Sequence, residues 1–362
     1  MTNLKIAKQR LHNQLITQQK FEKAGDVVKS LCAVQAQDYA AAKWALGLRM
    51  QNSTDAIIEQ AFDDGTILRT HILRPTWHFV LPADIRWMLA LTAPRVLATI
   101  AYYDRTLRLD ETVFTRGNAV LVKALQGGKQ LTRVELVTVL RQAGIAADNV
   151  QRIGHILMHA ELEGIICSGA RRGKQFTYAL LDERAPQARA IDREDALAEL
   201  TRRYFTSHGP ATLQDFVWWS GLTVADARIG LKMVTSQLSQ EVIDGQTYWR
   251  SASMPSSKDL SRTIYLLPNF DEYTVGYTDR SAIFDMSDAE KFDAPGNVLN
   301  PTIVLDGRIV GTWKRTITKD TVHLTPKLFI SLTKAETHAL VESAKRYAVF
   351  LGMPVNINVN LS

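Results

Sequence analysis

The chain has 362 residues, of which 46% are hydrophobic and 22% are charged, and this composition is typical of a globular protein with about two to four modules. No apolar run approaches the length of a bilayer-spanning helix, and the first residues lack the apolar centre of a secretory signal, so we expect no membrane segment and a cytoplasmic location. The formal net charge of +6 favours a polyanionic partner such as nucleic acid, although many enzymes of small metabolites are equally basic.

Hydrophobic periodicity near the start predicts several helices that lead into strands. The helices are predicted over residues 6–15, 27–34, 38–49 and 54–63, and the strands lie between residues 68 and 80. Helices followed by a hairpin form the winged-helix variant of the helix-turn-helix, and this segment is a loose first copy of it.

The middle of the chain has the same order in a clearer form. A helix over residues 119–126 ends at a glycine pair, and Thr132 with Glu135 three residues later predicts a capping box on the next helix. A helix over residues 149–163 and strands at 165–168 and 176–180 complete this second copy.

A third copy and a strand-rich region complete the chain. The third copy has a helix over residues 193–207, a helix that Thr212 caps and that carries Phe216, Trp218 and Trp219, a helix over residues 223–238, and a hairpin that turns at Asp244-Gly245. Short strands follow at 263–267, 303–305, 308–312 and 321–324, with turns at Pro295-Gly296 and Asp306-Gly307 and a last helix over 334–351. Short strands need protected edges, which favours a small barrel.

These patterns predict a fold that is mainly α with β, built from three tandem winged-helix modules and a C-terminal β-barrel-like domain. The predicted domains are residues 1–117, 118–188, 189–254 and 255–362. Each module is expected to bury an apolar centre of its own.

Cofactor-dependent chemistry has no support in the sequence. The two cysteines, Cys32 and Cys167, are too few for a disulfide framework or a four-cysteine zinc site and are predicted to be buried, reduced thiols. There is no glycine-rich phosphate loop, Walker motif or nucleophile elbow. We therefore expect neither a cofactor nor a metal.

Gln35-Ala36-Gln37 stands between two predicted helices and is a candidate for the chemistry. On a regular helix the two glutamines would point to different sides, whereas a break at this point could aim both carboxamides into one cleft. Asp38 suits the N-cap of the next helix, which places the break on the glutamines. On spacing alone, capping or solvated side chains are the better explanation of the two glutamines.

Several short segments carry a resemblance to one known family. They are AVQAQDY at residues 33–39, LRPTWH at 73–78, WMLALTAPR at 87–95, ELEGI at 161–165, LPNFDEY at 267–273, and PTI at 301–303 with GTW at 311–313. With these motifs the chain resembles the AlkZ-like DNA glycosylases of the winged-helix superfamily over essentially its whole length.

The resemblance implies a C-shaped arrangement of three winged helices and a barrel, and a catalytic motif of two glutamines around one apolar residue. Gln35 and Gln37 match that motif, and a sister branch has aspartate at the second position. The implied reaction is monofunctional excision of N-alkylated purines from double-stranded DNA, including bulky or crosslinked guanine adducts, in some members as self-resistance to a DNA-alkylating natural product. Asp38 is the rival catalytic candidate, and we expect a monomer.

Basic and histidine side chains are candidates for contact with DNA. Arg171, Arg172 and Lys174 crowd the predicted wing turn, where phosphate binding and an ordinary solvated turn are equally good interpretations. Because their segment matches the family, His71 and His78 are further candidates for the DNA face, beside a core role.

Two other polar groups have simpler interpretations. His155 and His159 are spaced like a metalloprotease pair, but the required glutamate is absent, and a solvated or DNA-facing surface is favoured. Asp271 and Glu272 are expected to belong to a network inside the barrel.

Two non-enzymatic functions remain as alternatives. Winged helices most often serve regulators or architectural proteins that bind DNA without chemistry. A protein that sequesters the alkylating compound itself is the third possibility. Release of a free modified base would separate the glycosylase from both.

Overall fold

The computed structural model describes residues 2–18, 21–147, 149–253, 263–285, 290–291 and 300–358. Its fold is mixed, with 49% helix and 19% strand. No helix in the described ranges is both long enough and apolar enough to cross a membrane.

The N-terminal segment combines helices with a small antiparallel sheet. It contains α1 (Asn3–Asn13), α2 (Ala24–Leu31), β1 (Val34–Gln35), α3 (Tyr39–Leu48), α4 (Asp55–Asp63), β2 (Leu68–His71) and β3 (Trp77–Val80), and the long α5 (Ile85–Thr106) follows. The strand order is β1-β3-β2. The predicted helices are present, and the unpredicted feature is β1, which carries the first glutamine.

The middle segment follows the predicted order of helices and hairpin. It contains α6 (Glu111–Leu125), β4 (Leu131–Thr132), α7 (Arg133–Gln142), α8 (Val150–Leu162), β5 (Ile166–Ser168), β6 (Thr177–Leu180) and the short α9 (Leu181–Arg184). The predicted capping box is confirmed, because Thr132 N donates to Glu135 Oε2 at 2.7 Å while the Thr132 hydroxyl accepts from Glu135 N. The domain boundary predicted between residues 117 and 118 falls inside α6.

The third segment repeats this order with a longer hairpin. It contains α10 (Arg193–Ser207), α11 (Leu213–Ser220), α12 (Val224–Val234), β7 (Leu238–Ile243) and β8 (Gln246–Ser251). Asp244 and Gly245 make the predicted turn with φ of +50° and +78°, the left-handed conformation that suits a two-residue hairpin loop.

The C-terminal segment forms a curled half-barrel sheet rather than the predicted barrel. It contains β9 (Ile264–Leu267), α13 (Glu272–Val275), β10 (Thr302–Leu305), β11 (Arg308–Ile317), β12 (Val322–Leu328), α14 (Lys334–Leu351) and β13 (Val355–Ile357). The strand order is β13-β12-β11-β10-β9. The two edge strands, β9 and β13, do not pair with each other in the part of the chain that the structure describes, so the sheet stays open. The predicted turn at Pro295-Gly296 and the boundary at 254/255 lie outside the described residues.

The hydrophobic cores do not follow the predicted modules. One core joins α1 to α4 with the C-terminal sheet and α14, and a second joins β2, β3 and α5 with α10 and α11. A third core lies within the middle segment, from Leu109 to Leu180. The expectation of one core per module therefore holds for the middle segment and fails for the others.

Both cysteines are buried, as predicted. Burial in an apolar environment disfavours the thiolate and raises the pKa of Cys32 and of Cys167 to about 12. Neither thiol is therefore a reactive nucleophile near neutral pH.

Candidate active site

The two glutamines lie at the join between α2 and α3, Gln35 on β1 and Gln37 in the bend that follows it. Gln35 pairs with His78 across β1 and β3, and Ala36 N donates to Trp77 O at 2.7 Å. Both carboxamides contact the segment between β2 and the start of β3, because Gln35 Oε1 accepts from Arg74 Nη2 and Gln37 Oε1 accepts from Trp77 N. Gln35 is 8% exposed, whereas Gln37 is exposed.

Gln35 is held by contacts from two distant parts of the chain. Its backbone N–H donates to Glu272 Oε1 at 2.7 Å, and its side-chain Oε1 accepts from Arg74 Nη2 at 2.8 Å. Arg74 is fixed in turn, because it also donates to Trp219 O at 3.0 Å. A carbonyl oxygen has two lone pairs, so Gln35 Oε1 can accept one further hydrogen bond.

Glu272 is a buried carboxylate under the motif. Besides Gln35 N, it accepts from Trp219 Nε1 at 2.9 Å and approaches His208 Nε2 at 3.3 Å. Burial would raise its pKa, but the hydrogen bonds and charge of these partners prevail and lower the pKa to about 2. The sequence assigned Glu272 to a network inside the barrel, whereas the structure places its carboxylate against Gln35.

Gln37 is the exposed member of the pair. Its Oε1 accepts a long hydrogen bond of 3.4 Å from Trp77 N, which leaves the side chain accessible from solvent. The motif therefore combines one fixed carboxamide with one that a ligand can reach.

Asp38 caps α3, as predicted. Its Oδ1 accepts from Ala41 N at 3.1 Å, and its Oδ2 accepts from Asn269 Nδ2 at 3.2 Å. Asp38 also borders a cleft of about 600 Å³ between α3 and the C-terminal sheet, with Lys314 and Arg315 on the far side. Both carboxylate oxygens of Asp38 are committed to structural contacts.

The two candidate histidines lie behind the surface. His78 is fully buried, its Nδ1 bonds to Thr76 O at 2.9 Å, and burial together with nearby Arg74 lowers its pKa to about 3. This burial contradicts the predicted contact between His78 and DNA. His71 is 4% exposed and bonds to Glu161, with its ring 4.4 Å from that of Trp77. His71 thus supports a wall of the site and is placed too deep for phosphate binding.

The three basic residues of the β5–β6 loop have different environments. Arg171 pairs with Glu59 at 3.2 Å, and its backbone N–H donates to Asp63, which ties the loop to α4. The side chain of Arg172 is 55% exposed and pairs with Glu135 at 2.8 Å. Lys174 is exposed, with no ion pair to any described residue. Arg172 and Lys174 are available to phosphates, whereas Arg171 has a structural role.

His155 and His159 form a network with Asp104 rather than a solvated surface. His155 Nδ1 lies 2.6 Å from one carboxylate oxygen of Asp104, and His159 Nε2 lies 2.9 Å from the other. His159 is 8% exposed and stacks on Phe114, so the prediction of a solvated or DNA-facing position is wrong for this residue. Among the described residues, no group of three or more His, Cys, Asp or Glu could hold a metal ion.

Comparison with known proteins identifies the class of protein to which this fold and site belong. Residues 28–350 match the family described as DNA glycosylase AlkZ-like. The chain therefore belongs to the AlkZ-like family of DNA glycosylases.

A curated relative and a solved structure agree with this family. The chain is similar to the Interstrand DNA cross-link repair glycosylase of Streptomyces sahachiroi, with 25% identity over 322 residues that cover 84% of this chain and 85% of that protein. It is also similar in structure to the Streptomyces sahachiroi DNA glycosylase AlkZ, with a TM-score of 0.82, 22% identity, and coverage of 99% of this chain and 100% of the other. As a DNA glycosylase, the protein hydrolyses N-glycosidic bonds in DNA.

Proposed function

We propose that this glycosylase excises N7- or N3-alkylated purines from double-stranded DNA, including bulky or crosslinked guanine adducts, with Gln35 and Gln37 as its catalytic residues. The family match supports the reaction, and the name of the Streptomyces relative, an interstrand cross-link repair glycosylase, supports the class of adduct. The observation that carries the proposal is that both carboxamides contact the same short segment, Gln35 through Arg74 and Gln37 through Trp77.

The chemistry needs few groups, because the substrate is already activated. Alkylation at N7 or N3 gives the purine a positive charge, which makes it a good leaving group without a general acid. The enzyme then has to place a water beneath the sugar and stabilise the positive charge that develops there, which fixed dipoles do well. Carboxamide oxygens supply both functions.

The surroundings of Gln35 suit this chemistry. Arg74 beside it would oppose a developing cation, but the ionised carboxylate of Glu272 lies on the other side of Gln35 and offsets that charge. The negative charge of Glu272 thus opposes the positive charge of Arg74, while the hydrogen bond from Arg74 holds the carboxamide dipole of Gln35 in one orientation.

The binding of duplex DNA is assigned to the helix-and-hairpin segments. In each of the three, two or more helices precede an antiparallel hairpin, which supports three winged-helix modules around the site. The exposed cations Arg172 and Lys174 on the middle hairpin would bind backbone phosphates without reading sequence. We expect the protein to act as a monomer, which light scattering of the purified chain tests directly.

The proposal is tested by release of base from duplexes with a single N7-methylguanine. Gln35→Ala and Gln37→Ala should each slow single-turnover excision by about 100-fold while affinity for the duplex is retained, because the carboxamides act on the transition state. The matched control is Gln126→Ala, which truncates an exposed glutamine at the end of α6 and should excise at the rate of the wild type.

The reaction product distinguishes hydrolysis by water from attack on the sugar by an amine of the protein. Hydrolysis by water leaves an intact abasic strand and a free base, because no amine of the motif attacks the sugar. Trapping of the protein on DNA by borohydride, or full activity of the Gln35→Ala/Gln37→Ala double variant, would disprove the catalytic assignment. Binding without release of base would favour a regulatory protein.

A further inference from the structure

A second cleft begins at Trp77, directly beside Gln37. The backbone N–H of Trp77 donates to Gln37 Oε1, and its side chain borders a cavity of about 490 Å³ between α5 and α8. The opposite walls are Tyr103 of α5 and Gly154 and Met158 of α8. The cleft and the catalytic pair are therefore separated by a single residue.

The lining of this cleft is apolar and aromatic at its mouth. Tyr103 is 60% exposed and Val150 is 76% exposed, so two large side chains present apolar surface at the mouth of the cleft. The cavity volume lies within the range of about 300–1,000 Å³ that is usual for small-molecule sites, and it is far larger than a methyl group requires.

One cation that pairs with no described carboxylate borders the cleft. The Arg133 guanidinium donates to Val150 O, and no described carboxylate lies within ion-pair distance of it. Glu161, which lines the cleft, is bonded to His71, and Asp104 of α5 is bonded to His155 and His159. A cationic purine would meet the free charge of Arg133, whereas a neutral aromatic ring would be attracted to it.

We propose that this cleft receives the neutral aromatic substituent of a bulky N7-guanine adduct while the sugar lies against Gln35 and Gln37. This inference rests on the proposed function and extends it, because it assigns the tolerance for large adducts to Trp77, Tyr103, Gly154 and Met158. A small alkyl group leaves the cleft empty, and a planar polycyclic group fills it.

Gly154 allows the cleft to be filled by a substitution. A Cβ at this position meets Arg133 Nη2 at 3.5 Å, an ordinary contact, so alanine fits and a larger side chain extends into the cleft. Leucine is also a better helix former than glycine, which protects the fold of α8. Gly154→Leu is therefore the test variant, and Gly154→Ala is its matched control.

The measurement is a ratio of two single-turnover rates. Duplexes carry one N7-(naphthylmethyl)guanine or one N7-methylguanine, and spontaneous depurination is subtracted. In Gly154→Leu the ratio of the naphthylmethyl rate to the methyl rate should fall by about tenfold or more, as expected for a pocket that excludes by size, while Gly154→Ala keeps the wild-type ratio. If Gly154→Leu is unfolded by circular dichroism, Tyr103→Ala, which truncates an exposed ring, should lower the same ratio.

The outcomes separate this inference from the function on which it rests. An unchanged ratio in folded Gly154→Leu or in Tyr103→Ala, including equal losses on both substrates, overturns the assignment of the cleft. If the wild type releases neither modified base, the proposed function is overturned instead.

Discussion

The two glutamines differ in how they are held, and this difference predicts different consequences for stability. Truncation of Gln35 removes the acceptor of Arg74 Nη2, 2.8 Å away in a largely buried site, which costs about 1–3 kcal/mol of unfolding free energy, while Arg74 Nη1 keeps its bond to Trp219 O. Gln37 is exposed, and its long hydrogen bond contributes little. Chemical denaturation should therefore show a clear loss for Gln35→Ala and almost none for Gln37→Ala, although both variants lose excision. Equal stability of the two would mean that Gln35 is not anchored as described.

Glu272 is predicted to be a positioning residue. Glu272→Gln keeps the shape of the side chain but removes the negative charge of the carboxylate that accepts the hydrogen bond from Gln35 N. Single-turnover excision should therefore slow by about tenfold while affinity for DNA is retained. Trp219→Phe is the control, because it removes a donor to Glu272 without touching Gln35 and should slow excision less. A slower rate in Trp219→Phe than in Glu272→Gln would assign the effect to general destabilisation.

The lowered pKa of the Glu272 carboxylate predicts that the protein loses stability in acid. The pKa of Glu272 is lowered from 4.5 to about 2, so its ionised form stabilises the folded state above pH 4.5, and this contribution is lost as the pH falls toward 2. The difference in unfolding free energy between the wild type and Glu272→Gln should be constant from pH 7 to about pH 5 and shrink below it. Urea titrations at several pH values test this, and a difference that grows in acid would contradict it.

Catalysis should depend little on pH near neutrality. The two carboxamides do not titrate, and the neighbouring groups whose pKa values are most perturbed, Glu272 at about 2 and His78 at about 3, change charge far below pH 6. Single-turnover excision of N7-methylguanine should therefore vary little between about pH 6 and pH 8 once binding is saturated. A steep limb in this range that disappears in Asp38→Asn would move the chemistry to Asp38.

At the scale of the elements, the β5–β6 loop is predicted to contribute separately to DNA binding. Arg172→Ala and Lys174→Ala should each weaken binding to damaged and undamaged duplexes alike and lower the slope of log affinity against log salt by about one. Lys334→Ala, at an exposed lysine on α14, is the matched control. An unchanged slope in the double variant would place this hairpin away from DNA. Arg171→Ala should act on stability instead, because Arg171 pairs with Glu59.

The elements that the sequence predicted best have strong local signals. α10 and α14 match their predicted bounds, because both begin with caps and have regular apolar periods. β1 was missed because two residues are too short for any periodicity. The site shows the same division. The glutamine pair was found from its motif, whereas the contact between Gln35 and Glu272 joins residues 237 apart and has no local signal.

At the scale of the whole molecule, the shared cores tie the first and last parts of the chain into one structural unit. The residues around β1 pack in the same core as the C-terminal sheet, and Glu272 reaches the motif from that sheet's side. The geometry of the glutamine pair therefore depends on residues at both ends of the chain. Folding of the N-terminal segment alone would leave Gln35 without its carboxylate partner.

One buried ion pair holds these two parts together. Arg49 at the end of α3 and Asp271 before α13 are both fully buried and make two hydrogen bonds of 2.8 Å. The remaining N–H groups of Arg49 donate to Gln14 and Ala45, so all five donors of the guanidinium are satisfied. Removal of one partner leaves the other charged and unpaired in the core.

We therefore predict that Arg49→Met and Asp271→Asn each lower the free energy of unfolding by about 3–5 kcal/mol, since either change leaves a buried group uncompensated. The control is the exposed pair Arg193 and Asp226, 2.6 Å apart, where a single truncation should cost less than about 1 kcal/mol. Unfolding is followed by tryptophan fluorescence, because Trp44 and Trp313 lie in the core shared by the two parts. If Asp271→Asn unfolded with the wild-type midpoint, the C-terminal sheet would not be needed to hold α3, and the catalytic pair would be organised by the N-terminal segment alone.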